Sequence, residues 1–347
     1  MQRSLNGWLV DPRDGGLLTL EEIDVDGTGE ISSGALVAVD GTTFPIRQGI
    51  PDFVEADAGA SQTAESFGWK WAGWDEAETQ SGYDEYRSWF VERHFGDDSA
   101  MHRFMSGRRR ILDVGCGSGL SSSIYLGGGF DGDIWIGADL STAIAGARKR
   151  LRGTPRTHFV RADMLQLPFR AGAFDTLVAE GTLHHTPSTR DALAAVVRHL
   201  EPGGVILFYV YRLKSAVREF TDDFIRERIS DLSPDDAMKL VTPLTELGRA
   251  LAEVSRQIEV PDIPVLGIAG GTYDVQRFFY WHVAKVFWND AYSFEENNHI
   301  NFDWFHPKYA HRQTADEVRQ WCDEIGLEIE RWNEEDAGFS VRARLRA

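Results

Sequence analysis

Residues 111–119 read Ile-Leu-Asp-Val-Gly-Cys-Gly-Ser-Gly, and their chemistry is that of a loop that lets a ligand touch backbone. Ile111, Leu112 and Val114 make a short apolar strand, and the run Leu120 to Leu126 suits a helix. Between them Gly115, Gly117 and Gly119 carry no Cβ to hold a ligand away. A Gly-x-Gly-x-Gly alone is a weak signal, but two carboxylates sharpen it. Asp113 precedes the loop, and Asp139 ends the next apolar strand, Ile134 to Ala138, where an acid binds ribose hydroxyls. A dinucleotide fingerprint spaces its third glycine one residue later and seats a pyrophosphate on the helix N-terminus. Here an acid beside the turn repels pyrophosphate and suits a ligand that carries an ammonium and a sulfonium.

The elements that must position these residues alternate. Strands are expected at 110–114, 134–138, 157–160, 174–179 and 205–211, with helices near 119–126, 141–152 and 189–200. That alternation gives a parallel sheet with helices on both faces, and the ligand at the carboxyl edge where strand order reverses. A last helix, Thr314 to Ile325, ends at Gly326, and strands Glu328 to Trp332 and Gly338 to Leu345 close the chain.

Asp113-Val-Gly115-Cys116-Gly117-Ser-Gly119 resembles the first motif of the class I S-adenosylmethionine-dependent methyltransferases, and four further segments follow in that family's order. They are Asp139-Leu140-Ser141, Ala162-Asp163-Met164, Phe174-Asp175 through Glu180 to His185, and Leu200-Glu-Pro-Gly203-Gly204-Val-Ile-Leu-Phe. The resemblance implies a Rossmann-like sheet whose final strand inserts antiparallel, and S-adenosylmethionine as cofactor. It makes Asp139 the ribose ligand, Asp163 the ligand of the adenine amino group, and Glu180 a contact of the methionine part. The implied cofactor set is Asp113, Gly115, Cys116, Gly117, Gly119, Asp139, Leu140, Asp163, Met164 and Glu180.

Around this core (108–212 and 314–347) three further segments are expected. Residues 1–55 read as short hairpins: Gly7 to Val10, Leu17 to Ile23, Ala35 to Val39 and Thr43 to Ile46. They resemble a Trm112-type zinc ribbon whose four cysteine positions fall on Asp11, Asp14, Val37 and Asp40. Valine cannot ligate and three carboxylates make a poor structural zinc site, so no metal is expected; turn aspartates or a hard-cation site are the two readings of those acids. Residues 56–107 are an aromatic helical cover with Phe67, Trp69, Trp71, Trp74, Tyr83, Tyr86, Trp89, Phe90 and Phe95. Aromatics at this spacing are core, with one or two reaching a cofactor cation; the phrase Phe67-Gly68-Trp69-Lys70-Trp71 fits the family's cover.

Residues 213–313 form an insertion between the fifth and sixth strands of the core, amphipathic over Ala216 to Ile229 and Asp235 to Arg256 and aromatic over Tyr273 to Phe305. Insertions at the carboxyl edge vary the substrate, so this one is read as lid and acceptor pocket, with a dimerisation surface as the other reading. Its candidate acceptor contacts are His282, Trp304, His306 and Tyr309. Tyr209, Tyr211, His282, His306 and His311 are lesser candidates for the catalytic group. His185, just past the fourth strand, stands where acceptor and methyl meet, as a general base or as a brace for its loop.

Fifty-four acids against 36 Lys plus Arg give a net charge of −18, which disfavours nucleic acid as partner. No apolar run approaches the roughly 20 residues of a membrane helix and no leader pattern opens the chain. Cys116 and Cys322 lie too far apart in sequence to suggest a disulfide framework, and both are expected to be thiols. These readings converge on a cytoplasmic enzyme, possible as a homodimer, that methylates the oxygen or nitrogen of a small metabolite or glycan-like acceptor. The other readings are an RNA or protein methyltransferase, and a cofactor-binding partner protein without turnover.

Overall fold

A computed structural model describes residues 1–54, 58–77, 79–127 and 129–347; for 58–60 and 72–77 it gives the helical backbone alone. The expected boundary at 55/56 and the Trp74 side chain lie outside the described residues.

The core is a seven-stranded sheet built from β5 (Arg110–Val114), β6 (Ile134–Asp139), β7 (Thr157–Arg161), β8 (Phe174–Glu180), β9 (Leu200–Tyr211), β12 (Leu327–Glu334) and β13 (Gly338–Leu345). Their order is β12-β13-β9-β8-β5-β6-β7. The strands β7, β6, β5, β8 and β9 are parallel, and β13 runs antiparallel between β9 and β12. Order therefore reverses at β5/β8, which opens a crevice at the carboxyl ends of those strands.

The strands are apolar on both faces because both are covered. Ile111, Trp135, Val178, Val205 and Leu207 pack against helices α2 (Gln80–His94), α3 (Asp98–Met105), α4 (Leu120–Leu126) and α5 (Ile144–Arg150). Leu112, Ile136, Leu177, Ile206 and Phe208 point the other way, to α6 (Thr189–Val197) and α11 (Ala315–Ile325). That second face also takes the N-terminal module, whose Leu5, Leu36, Phe44 and Phe53 join the same core. The module is a four-stranded antiparallel sheet, β1 (Thr19–Val25), β2 (Ile31–Val37), β3 (Thr43–Arg47) and β4 (Ile50–Pro51).

Two expectations shift. Residues 3–8 form a 3-10 helix in place of the start of the first hairpin strand; Leu9 bridges to Phe169 of the core, while Val10 keeps an antiparallel bridge to Leu17. A short apolar run does not specify its partner, and here the core supplies one. β2 starts at Ile31, four residues early, because Met1 pairs with it through both backbone groups. Two acids of the module pair with a side chain: the Arg13 guanidinium bridges Asp11 at 2.6 Å and Asp40 at 3.1 Å, and Asp14 accepts from the Gly16 amide within its turn.

The insertion holds α7 (Ala216–Ile229), α8 (Pro234–Glu253), a hairpin of β10 (Gln257–Val260) and β11 (Gly271–Asp274), then α9 (Val275–His282) and α10 (Phe294–Phe305). The hairpin has no counterpart in the sequence reading. Ile229, Ala237, Val241, Phe302, Trp304 and Phe305 give the insertion a small core of its own. Helix α1 (Ala58–Ala77) is stitched to it: Gln62 donates to the carbonyls of Ser230 and His306, and Trp69 packs at a tilt against Phe302. No helix among the described residues is long and apolar enough to cross a membrane.

Candidate active site

The three glycines of the β5–α4 loop all have left-handed backbone, with φ of +69° at Gly115, +53° at Gly117 and +77° at Gly119. Each faces a different neighbour. A Cβ on Gly115 would stand 2.0 Å from the Thr182 hydroxyl oxygen, and one on Gly117 would stand 3.0 Å from the Trp71 indole nitrogen. Gly119 caps α4, and a Cβ there would stand 3.1 Å from Ala147 of α5, so it serves helix packing and does not face the cavity described below. That position corrects its expected place among the ligand contacts.

Asp113 is corrected as well. Its carboxylate turns away from the crevice and accepts from Ser122 Oγ at 2.6 Å and Tyr125 Oη at 2.5 Å. Burial pushes its pKa up to about 6, against the pull of those two donors. Asp113 thus anchors α4 behind the loop, and Trp135 Nε1 extends the chain by donating to Tyr125 Oη at 2.9 Å.

Asp139 does reach the crevice. Its Oδ2 accepts from the Gly117 amide at 2.7 Å, and its Oδ1 from both the amide and hydroxyl of Ser141 at 2.7 and 2.6 Å. Burial raises its pKa and these donors oppose the rise. The same turn delays α5 to Ile144, because residues 140–143 wrap the carboxylate before the helix can begin. Asp163 accepts from the Leu165 amide at 2.9 Å and lines the crevice with Leu140, Met164, Gly115, Cys116 and Gly117. The Cys116 thiol is buried, which holds its pKa well up and keeps it a thiol.

Glu180 closes this end. His94 Nε2 lies 2.7 Å from its Oε2, and the Arg93 guanidinium pairs with Oε1. Arg93 has no solvent exposure and lies between the rings of Trp89 and Tyr209, at 3.3 and 4.4 Å. Burial, then Arg93, holds His94 well below the usual histidine range, so it is neutral and donates through Nε2. Neither Arg93 nor His94 was visible in the sequence, since they end an aromatic helix far from any motif.

Both ends open into one cavity of about 900 Å³, at the upper end of the roughly 300–1,000 Å³ of ligand pockets. The cover lines it with Phe67, Lys70, Trp71, Tyr86 and Trp89, and the insertion with Tyr280, Trp281, Lys285, Phe287 and Asp303. Trp69, by contrast, points into the core of the insertion.

His185 faces this space. Its Nδ1 is 2.7 Å from the Tyr309 carbonyl, and the Phe67 ring packs edge-on at 4.8 Å. A carbonyl only accepts, so Nδ1 carries the proton and Nε2 is left with its lone pair. Burial pulls the pKa of His185 down to about 4, which keeps the ring neutral. His184 is fully buried against Tyr211, ring centroids 3.8 Å apart, and does not line the cavity.

The expected acceptor contacts divide. Tyr309 lines the cavity, but its tie to His185 runs through backbone. His282 lies outside, against Phe278 and Tyr273. His306 spends both nitrogens on Ser66 Oγ and the Leu232 carbonyl, at 2.8 and 3.0 Å. Trp304 is buried one layer back, donating its indole N–H to Asp222 at 2.6 Å while its face supports Lys285. These three hold the insertion together because their polar atoms found protein partners or packed among rings. Lys70, Lys285, Tyr280 and Asp303 do line the cavity, and isolated residues within aromatic stretches give no motif to find them by.

Against known proteins, the family described as Methyltransferase domain matches residues 112–208, from β5 to β9. Over 135 residues the chain is 33% identical to a phthiotriol/phenolphthiotriol dimycocerosates methyltransferase of Mycobacterium ulcerans, covering 39% of this chain and 49% of that one. Over 102 residues it is 36% identical to a tRNA U34 carboxymethyltransferase of Pseudoalteromonas atlantica, covering 28% and 31%. The chain thus spans about half or less of these relatives' length. Among solved structures, an S-adenosylmethionine-dependent methyltransferase of Mesorhizobium loti aligns over 76% of this chain and all of that one, at 16% identity and a TM-score of 0.42. Residues 112–208 are a methyltransferase domain, an enzyme domain whose cofactor is S-adenosylmethionine. The crevice suits that cofactor: the carboxylates of Asp139, Asp163 and Glu180 line it, acceptors for hydroxyls, an amine and an ammonium.

Proposed function

We propose that this protein is a methyltransferase whose acceptor is a small molecule methylated on oxygen or nitrogen in the cavity beneath the insertion. The observation that carries this is the continuity of the cavity from the glycine loop at Gly115 and Gly117 to His185, Lys285 and Asp303, under a wall formed by the cover and the insertion. In this reading Asp139 holds the ribose, Asp163 the adenine amine and Glu180 the methionine ammonium. Bound there, S-adenosylmethionine would supply a methyl group activated by its sulfonium for displacement by the acceptor's lone pair. His185 Nε2 takes the acceptor proton, and the Tyr309 carbonyl holds the ring in the required tautomer. The cover and insertion exclude water and fix the approach, where positioning contributes roughly 7–11 kcal/mol.

A tRNA acceptor, as the name of one relative states for itself, is less well supported, because the net charge is −18 and the acceptor space is roofed by rings. We also read the N-terminal module as a metal-free ribbon in which Arg13, between Asp11 and Asp40, does the cross-linking of an ion. A cytoplasmic location belongs to the same reading. The test is calorimetry with S-adenosylmethionine followed by turnover to S-adenosylhomocysteine over a broad metabolite panel and bulk tRNA. Binding lost in Asp139→Ala and turnover with a metabolite are expected; turnover with tRNA alone would overturn the acceptor class, and tight binding without turnover on any acceptor would favour a silent partner protein.

A further inference from the structure

The wall that the insertion gives the cavity carries a charge pattern opposite to that of the molecule. The protein has 18 more acids than Lys plus Arg, and most of its buried cations have a carboxylate or carbonyl beside them. Three charged residues of the insertion line the cavity: Arg277, Lys285 and Asp303. Asp303 is already taken, since its Oδ2 pairs with Lys70 Nζ of the cover at 2.7 Å. Lys285 and Arg277 remain. Among the described residues neither has a carboxylate within ion-pair distance, and neither side chain donates a hydrogen bond to the protein.

Lys285 is the stronger case because it is 92% buried, at 8% exposure. Its backbone N–H is fixed by Asp222 Oδ1 at 3.0 Å, and its Nζ lies 4.7 Å from the centre of the Trp304 ring. A ring face offsets part of the cost of a buried ammonium but does not replace an anion. Burial brings the pKa of Lys285 down to about 7, although the Asp303 and Asp222 carboxylates pull it up against Arg218 and Lys70, so neither acid offsets the cost of burying the ammonium. Four aromatic rings, those of Tyr211, Tyr280, Trp281 and Phe287, line the same cavity. A cation that a fold leaves buried, unpaired and open to a cavity is a recognition group for a ligand anion.

We infer that the methyl acceptor is a small aromatic carboxylic acid, its carboxylate paired with Lys285 and its ring among Tyr211, Tyr280, Trp281 and Phe287. This deepens the reading of the cavity as an acceptor site and rests on it. The carboxylate would be held away from the reacting atom, so that the ring presents a hydroxyl or amine toward His185. Paired this way, the acid supplies the anion that Lys285 lacks, whereas a neutral acceptor of the same shape leaves the ammonium unsatisfied.

The test uses the full-length protein saturated with S-adenosylhomocysteine, titrated with 4-hydroxybenzoate, 3,4-dihydroxybenzoate and 3-aminobenzoate and with the amide of each. At least one acid is expected to bind about tenfold or more tighter than its amide, the size of one charge-assisted contact. Lys285→Met should erase that preference while binding S-adenosylhomocysteine as before, and Lys285→Arg should keep most of it. Equal binding of acid and amide overturns the proposal, as does an acid preference that survives in Lys285→Met, or no binding by any acid. A protein that fails to bind S-adenosylhomocysteine at all instead defeats the reading of the cavity on which the proposal stands.

Discussion

The His185 ring and the Tyr309 carbonyl are joined by a 2.7 Å hydrogen bond that fixes which nitrogen can act. With the proton held on Nδ1, the lone pair of Nε2 is the free one, and burial brings the pKa down to about 4. A base with that pKa is ready across the neutral range. In His185→Asn, kcat should fall by about 10²–10⁴ if the acceptor must lose a proton, with affinity for S-adenosylmethionine unchanged. The acid limb of kcat/KM in the parent enzyme should fall near pH 4 instead of near 6.5. An unaltered kcat would reduce His185 to a brace for its loop.

Gly115 and Gly129 both have left-handed backbone, at φ +69° and +95°, but only Gly115 has a neighbour where a Cβ would go. Gly129→Ala should therefore cost about 1–2 kcal/mol of backbone strain and leave the cofactor alone. Gly115→Ala carries the same strain and also drives Thr182 from the crevice wall, so its affinity for S-adenosylmethionine should drop by more than tenfold. Denaturation and calorimetry on the two variants separate the effects. Equal cofactor affinity in both would mean that the loop tolerates the displacement.

The core was legible because its signals are local. A strand, a glycine turn and an acid at the next strand's end each show within ten residues, and they located Asp139, Gly115 and Gly117 on the cavity wall. The same motif misplaced Asp113, since sequence cannot say which way a carboxylate turns and Ser122 and Tyr125 drew it inward. The insertion was harder. Its aromatic run is shared between a small core and a cavity wall, and only tertiary packing sends Trp304 and Phe302 to one and Trp281 and Phe287 to the other. Arg93 beneath Glu180 left no trace because a lone arginine in a helix reads as solvated.

Buried histidines give the protein an acid limit. His158 in β7 is 5% exposed, and burial lowers its pKa to about 4 from an unfolded value of 6.5; burial does the same for His199. Between those values the unfolded chain binds more protons, so stability rises with pH, is complete above about 6.5 and is lost as pH falls toward 4. One such shift corresponds to at most about 3 kcal/mol. Asp113, raised to about 6, works the other way between its unfolded value of 3.8 and pH 6 and offsets part of the loss. Urea denaturation at pH 7.5 and 5 should show a lower midpoint at pH 5, and His158→Gln should narrow the difference. A midpoint independent of pH would contradict the assignment.

Asp222 ties the insertion together from within. It is 1% exposed and accepts from Arg218 Nε at 2.5 Å, Trp304 Nε1 at 2.6 Å and the Lys285 amide at 3.0 Å. Removing a carboxylate from such a set leaves the buried Arg218 without its ion-pair partner, a loss of about 3–5 kcal/mol. The insertion has its own small core, so the damage from Asp222→Ala should be local to residues 213–313. Hydrogen exchange should quicken in α7, α9 and α10 while β5 to β9 keep their protection, because the parallel strands are packed by other residues. Affinity for S-adenosylmethionine should survive, since Asp139, Asp163 and Gly117 lie on the core, whereas acceptor turnover should fail with the loss of a fixed Lys285. If exchange instead quickens uniformly across the core, the insertion and core unfold as one unit and Asp222 stabilises the whole fold.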